Sequence, residues 1–261
     1  MTLFVHEWKR NRKSLAVWTL CVAGICFGCI LLYTSLEESV QEVADSFANM
    51  GSMSAALGMD KMSIATLQGY YASEIALMHG IGGAMFAAIL GTGLLSKEES
   101  GHTSEFLNTL PVGRGSIVLQ KYLALLCCIA VFNVISTAFY AAGFHILGET
   151  WTRQMLLYHL AAVLMQAEIG TICFLISACS RKNRLGTGLG ITILLAALDM
   201  MCRILPAIDQ LKYVTPFYYA NAADIMSDGK IDAASAGIGV LLMLLSLWTA
   251  CSVYCKKDFT A

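Results

Sequence analysis

The sequence predicts an all-α integral membrane protein, a bundle of six membrane-crossing helices in one domain over residues 1–261, and three observations carry that prediction. First, 57% of the 261 residues are hydrophobic and only 13% are charged, whereas a soluble domain carries about 25% charged residues. So few charges do not cover the surface of a water-soluble globule of this size. Second, the mean hydropathy is +0.66 and there are only 3 prolines. That balance excludes disorder, collagen and a disulfide-rich secreted domain. Third, six stretches have the roughly 20 mostly apolar residues that a helix needs to cross a bilayer. They are residues 15–36, 74–95, 122–147, 156–179, 185–205 and 234–255. Their length and their Leu, Ala and Gly content fit helices; barrel strands are short and alternate with a polar inner face.

Before the first stretch, Leu3, Phe4 and Trp8 sit beside a basic run from Lys9 to Lys13. This reads as a short interfacial helix or as a simple basic anchor. The apolar run that follows is longer than a signal-peptide core and has no small-x-small cleavage site after it, so it is expected to stay as the first span. Lys and Arg set the orientation. With both termini cytoplasmic, the inner segments hold Lys9, Arg10, Arg12, Lys13, Lys97, Arg114, Lys121, Arg181, Lys182, Arg184, Lys256 and Lys257. The outer side keeps Lys61, Arg153, Arg203, Lys212 and Lys230, with Glu37, Glu38, Glu42 and Asp45 clustered just after the first span. The expected location is the cytoplasmic membrane, with the chain crossing it six times.

The remaining composition points to packing. All 10 cysteines, including the Cys26-x-x-Cys29 pair, fall in or at the ends of apolar runs, where thiols act as small packing residues. Gly24-x-x-x-Gly28, Gly91-Thr-Gly93 and Gly186-Thr-Gly188-Leu-Gly190 are expected to let helices approach closely. The outer links, 37–70 and 206–233, are long, and the second holds Pro206, Pro216 and the aromatic cluster Phe217, Tyr218 and Tyr219.

The inner link between the second and third stretches, 96–121, is the most informative. Thr103 or Ser104 can cap a short helix and Glu105 suits its positive end. Phe106, Leu107 and Leu110 form one apolar edge, and Pro111 ends the helix. Such an element is either an ordinary interfacial helix or a docking edge for a groove on a cytosolic partner. Glu98-Glu99-Ser100-Gly101-His102-Thr103-Ser104-Glu105-Phe106-Leu107, then Leu110-Pro111-Val112-Gly113-Arg114 and Lys121, resembles the signature of ABC-2 type permeases. That pattern runs near E-E-x-G-T-x-E-x-L-L-x-x-P-V-x-R-x-x-I-x-x-x-K. Here His102 is inserted between glycine and threonine, and Gly113 takes a position that is usually polar. His6-Glu7-Trp8-Lys9-Arg10 is similar to the family's N-terminal elbow, and Thr215-Pro216-Phe217-Tyr218 to its S-P-F-x-Y segment before the last span.

The resemblance implies that Glu98, Glu99, Gly101, Thr103, Glu105, Phe106, Leu107, Leu110, Pro111 and Arg114 belong to a coupling helix that inserts into a cytosolic ABC ATPase subunit. It also implies a second permease chain, identical or different, and export powered by ATP and Mg bound in the ATPase. No G-x-x-x-x-G-K-[ST] loop, G-x-S-x-G elbow or H-E-x-x-H stands in this sequence, and no cofactor, metal or nucleic-acid partner is expected of this chain. A small amphipathic cargo such as a drug, antibiotic or peptide fits the Met- and aromatic-rich outer links.

Glu168, Asp199 and Arg203 are candidates for the translocation path, because a charge at bilayer depth usually faces a bundle interior or a water cavity. Asp199 and Arg203 are i,i+4 and can pair, either as a structural ion pair or as part of a polar route. Glu168 has no basic residue within one turn, which fits a functional carboxylate or an interhelical hydrogen bond. His79, His145 and His159 read as packing or interfacial residues. A standalone intramembrane enzyme or ion-coupled transporter using Glu168 and Asp199 is the alternative from another class. A catalytically silent immunity or sensor subunit is a third.

Overall fold

The computed structural model describes residues 2–48, 50–101 and 112–257, and within them it is all-helical, with no strand. The elements are α1 (Thr2–Ala48), α2 (Ser52–Leu57), α3 (Leu67–Leu94, through a π-helical turn at Tyr71–Ile75), α4 (Lys97–Ser100), α5 (Arg114–Ile146), α6 (Arg153–Cys179) and α7 (Leu185–Ile204). A 3₁₀ helix (Pro206–Val214), α8 (Pro216–Tyr219), α9 (Ala222–Asp228) and α10 (Ala233–Lys256) complete the chain. Six of these, α1, α3, α5, α6, α7 and α10, are long and apolar enough to cross a membrane. They coincide with the six stretches read from the sequence, and the protein is a multi-pass membrane protein.

Three helices run further than expected, α3 from Leu67 instead of 74, α5 and α1. α5 begins at Arg114 instead of 122, immediately after Gly113, whose extended backbone turns the chain into the helix. α1 is one continuous helix of 47 residues, about 70 Å long at 1.5 Å per residue. The separate interfacial elbow expected before the first span is therefore not separate. The reason is local: neither Pro nor Gly interrupts the chain before Gly24, so nothing breaks the hydrogen-bond ladder. Beyond the apolar span, α1 continues, and its Ala44 packs on Met59 and Ile64 of the link that returns to α3. The Tyr33 hydroxyl donates to the Ala65 carbonyl (2.7 Å) and fixes that return.

Helix starts are set by side-chain caps. Thr66, Thr152, Asn221 and Asp232 each accept a backbone N–H in the first turn of α3, α6, α9 and α10, at 2.9–3.4 Å. α7 stops at Ile204, just before Leu205–Pro206, because the residue preceding a proline avoids the helical region.

The core sits on α3 and α6, the two most buried spans, with α1 packed on α5 and α10 on α6. α3 and α6 cross at Gly91 and Gly170: a Cβ on Gly91 would fall on the Gly170 carbonyl oxygen and 2.9 Å from Cys173 Cβ. Gly188 brings α7 equally close to Thr92 on α3. The glycines of the other expected motif positions, Gly24, Gly28, Gly186 and Gly190, meet nothing of this chain within 4 Å. Of these motif glycines, close packing uses those at the contacts of α3 with α6 and α7, and Gly143 brings α5 equally close to Ile30 on α1.

A matched pair of substitutions tests the crossing. Gly91→Ala is expected to lower the melting temperature of the detergent-purified protein, since overpacking a tight core contact costs about 1–3 kcal/mol. Gly24→Ala, into open space, should leave it unchanged or raise it slightly. Thermal unfolding of the two variants beside the parent checks this.

Candidate functional site

The ion pairs among the described residues are gathered at two places, one at each end of the bundle. The end that carries both chain termini holds an ion-pair junction centred on Lys121. Lys121 lies two turns into α5 and is fully buried (0% exposed). Its ammonium donates to the Leu94 carbonyl at the end of α3 (2.6 Å), pairs with Glu98, and reaches Glu7 Oε1 on α1 at 3.3 Å. Glu7, itself buried, pairs through its other oxygen with Lys97. A buried charge is tolerated only when paired and hydrogen-bonded, and here two lysines and two glutamates satisfy one another. Burial and the neighbouring Lys121 ammonium hold the Lys97 amine below the ordinary lysine range, despite Glu7 and Glu98.

The same end is closed by a second set of bonds. Glu99 pairs with Lys257 at 3.0 Å, and the Lys257 ammonium donates to the Ala178 and Ser180 carbonyls at 3.0 and 2.8 Å. Arg114 donates to the Cys255 and Lys257 carbonyls at 3.1 and 2.9 Å. Ser177 on α6 accepts the Leu95 and Ser96 amides, both at 2.9 Å, and so caps the end of α3. Both roots of the 96–121 link are therefore anchored, Glu98 and Glu99 at its start and Arg114 and Lys121 at its finish. They are tied to α1, α3, α6 and α10. Gly101 sits in the turn after α4, its N–H on the Lys97 carbonyl (2.9 Å). Thr103, Glu105, Phe106, Leu107, Leu110 and Pro111, the middle of the expected coupling helix, lie outside the described residues.

At the opposite end Asp199 and Arg203 do pair, Nε to Oδ2 at 3.0 Å. The structure extends the pair into a chain: Arg203 Nη1 bonds Asp224 on α9 at 2.9 Å, and Asp224 holds Lys61 from the link between α1 and α3 at 2.6 Å. Burial works against the Lys61 charge, but the hydrogen bond and charge of Asp224 outweigh it and hold the amine above the ordinary lysine range. Arg203 also lies over the Tyr218 ring, 5.9 Å from its centre. Lys61, Arg203, Asp224, Tyr218 and Tyr219 line a cavity of about 600 Å³, within the usual size of small-molecule sites.

Glu168 is not part of that chain of charges. It is 2% exposed, and its Oε2 accepts the Tyr219 hydroxyl at 2.8 Å. A Cβ at Gly239 on α10 would collide with the same oxygen, so only glycine lets α10 pass the carboxylate. Tyr219 belongs to α8, which Thr215 caps and pins to α7 through the Leu195 carbonyl (2.8 Å). Phe217 and Tyr219 are thereby inserted among α6, α7 and α10, and Tyr219 both bonds Glu168 and lines the 600 Å³ cavity.

Between the two ends His79 bonds Tyr140 (3.2 Å) and Asn133 (3.1 Å), Asn133 donates to Gln166 (2.6 Å), and His159 contacts the Tyr71 hydroxyl at 2.7 Å. These histidines are buried in the bundle interior, as packing residues with polar partners. Sequence reasoning missed Glu7 as the partner of Lys121, and Asp224, Lys61 and Tyr219 as partners of the membrane charges. The available signal was a lone charge on an otherwise apolar helix face, as at Lys121 between Ile117, Val118, Ala124 and Leu125.

Removing one member of the junction exposes its cost. Lys121→Met leaves Glu7 and Glu98 without their shared cation, and breaking a buried pair from one side costs about 3–5 kcal/mol. A drop of several degrees in melting temperature is expected. Lys212→Met, which removes the more exposed pair with Asp209, should cost less than about 1 kcal/mol. Thermal melts of both variants in the same detergent make the comparison.

Comparison with known proteins agrees with this architecture. No curated protein matches the sequence with significance. The family model described as "ABC-2 family transporter protein" matches residues 1–259. With six membrane-crossing helices and a match over nearly its whole length, the chain belongs to the ABC-2 transporter family and is a membrane permease of an ABC-type transporter.

Proposed function

We propose that this chain is the membrane-spanning permease of an ATP-driven exporter that moves a small amphipathic molecule, a drug, antibiotic or peptide, out of the cell. Hydrolysis of ATP with Mg takes place in a separate cytosolic ABC ATPase, and a second permease chain completes the pathway. Both termini and the 96–121 link face the cytoplasm, in the cytoplasmic membrane, as the Lys and Arg distribution favours.

The observation that carries this reading is the Lys121 junction. The link that would receive the ATPase is rooted by ion pairs in α1, α5 and α10 together. Motion of the segment around Glu105 and Phe106 would then turn several spans as one body, because a buried, fully paired network resists being pulled apart piecemeal. The second chain is supported by α7, whose Gly186, Gly190, Ile193, Leu194, Ala197 and Met201 form an exposed face with close-approach glycines. The path for cargo runs past Glu168 and the Asp199–Arg203 pair, and α8 is its outer plug.

Purification in mild detergent from the native operon tests the assembly. A stoichiometric soluble subunit with a phosphate-binding loop should co-purify, and should be released by Glu105→Lys or Phe106→Ala. Both variants should insert normally in the membrane and lose most ATP-driven transport. Normal ATP-coupled export in both would remove the docking role from this segment.

A further inference from the structure

The two oxygens of Asp199 have different surroundings. Oδ2 receives Arg203, whereas Oδ1 has no hydrogen-bond partner, although the residue is only 6% exposed. Burying a carboxylate oxygen unpartnered is costly, so such an atom calls for a donor that arrives from elsewhere. Asp199 lies on the wall of a second cavity, of about 50 Å³, between α2, α3, α6, α7, α8 and the start of α9. The rest of the wall is mostly apolar, with Leu57, Leu77, Ala196, Met200 and Phe217. Its other polar side chains are already engaged: the Tyr158 hydroxyl donates to the Ala76 carbonyl (2.6 Å), Ser73 to Gly69 (3.0 Å), and the Asn221 oxygen accepts the Asp224 amide (3.1 Å).

We infer that Asp199 Oδ1 is the binding point for a primary ammonium group, and that the cargo of this permease is an amine-bearing amphiphile. Three features converge on this class. The free acceptor is a carboxylate oxygen, which suits a charged N–H donor. Arg203 does not need Asp199 alone, because its Nη1 keeps Asp224 when a second cation approaches Oδ1, and Asp224 is in turn supported by Lys61. The third is the surroundings: the cavity is small, about 50 Å³, and one carboxylate oxygen stands in an otherwise mostly apolar wall. A trimethylammonium head has no N–H to donate to Oδ1. The apolar wall of Leu57, Leu77 and Met200 receives the methylenes that follow, and the face of Phe217 adds a cation–π contact.

This inference deepens the exporter reading and borrows from it only that the bound molecule is cargo. Binding is measured on the full chain in lipid nanodiscs without any ATPase, so failure of ATP coupling and failure of this site are separate results. The probe is dansylcadaverine, a fluorescent primary alkylamine, set against its N-acetyl and N,N,N-trimethyl derivatives. The amine should bind with a fluorescence rise, and both derivatives at least tenfold more weakly. Asp199→Asn should weaken the amine at least tenfold. Ala196→Val, which fills the cavity and leaves the ion pair intact, should do the same while keeping the parent's helical spectrum and melting temperature. It decides the matter if Asp199→Asn does not fold. No binding of the amine by the parent, equal binding of the three probes, or parent-like affinity in Ala196→Val would overturn the inference.

Discussion

The shared burial of Lys121 and Glu7 is the constraint on which the terminal end of the bundle depends. An ammonium at zero exposure can persist only if its partners come to it, and they come from three different parts of the chain: α1, the end of α3 and the turn that follows it. This explains why α5 starts as early as Arg114. Its first two turns are less apolar than a membrane span, and they form because the junction gives their one buried charge a place. It also fits α1 being continuous through its basic segment, since Glu7 must lie beside Lys97 and Lys121 for the pairing to close.

The opposite end solves a similar problem differently. There the charges are strung in a line, Asp199 to Arg203 to Asp224 to Lys61, running from a buried carboxylate to a half-exposed lysine. Such a line becomes better solvated outward, so its inner member is the least well satisfied. α8 makes the arrangement possible. A four-residue helix capped by Thr215 places Phe217 toward the small cavity and Tyr218 and Tyr219 toward the large one. The same insertion supplies Glu168 with a hydrogen-bond donor, the Tyr219 hydroxyl. One short segment thus lies beside three acidic groups and two cavities.

Between the ends, the bundle is held by shape as much as by polarity. The Gly91–Gly170 crossing draws α3 and α6 together, and the buried His79, Asn133 and Gln166 then find one another across α3, α5 and α6. Hydrogen bonds of this kind between apolar helices fix register, because no water competes for the donors.

Composition and hydropathy by themselves determined the fold class and the six spans, because every backbone group in a bilayer must be paired within its own helix and the requirement is written in each stretch separately. The Asp199–Arg203 pair was legible for the same reason, as i,i+4 neighbours on one helix. The link motif around Glu98, Arg114 and Lys121 was legible as a pattern of residues. The sequence did not reveal which glycines make the close crossings, since Gly24 and Gly186 match the same spacing as glycines that pack and yet face open space. Nor did it reveal that Glu7 belongs to Lys121, Tyr219 to Glu168, or Asp224 to Arg203. Those partners stand far apart in the chain, and only the packing of the helices decides which buried charge meets which, because the energy that selects them exists only once water has been excluded around both.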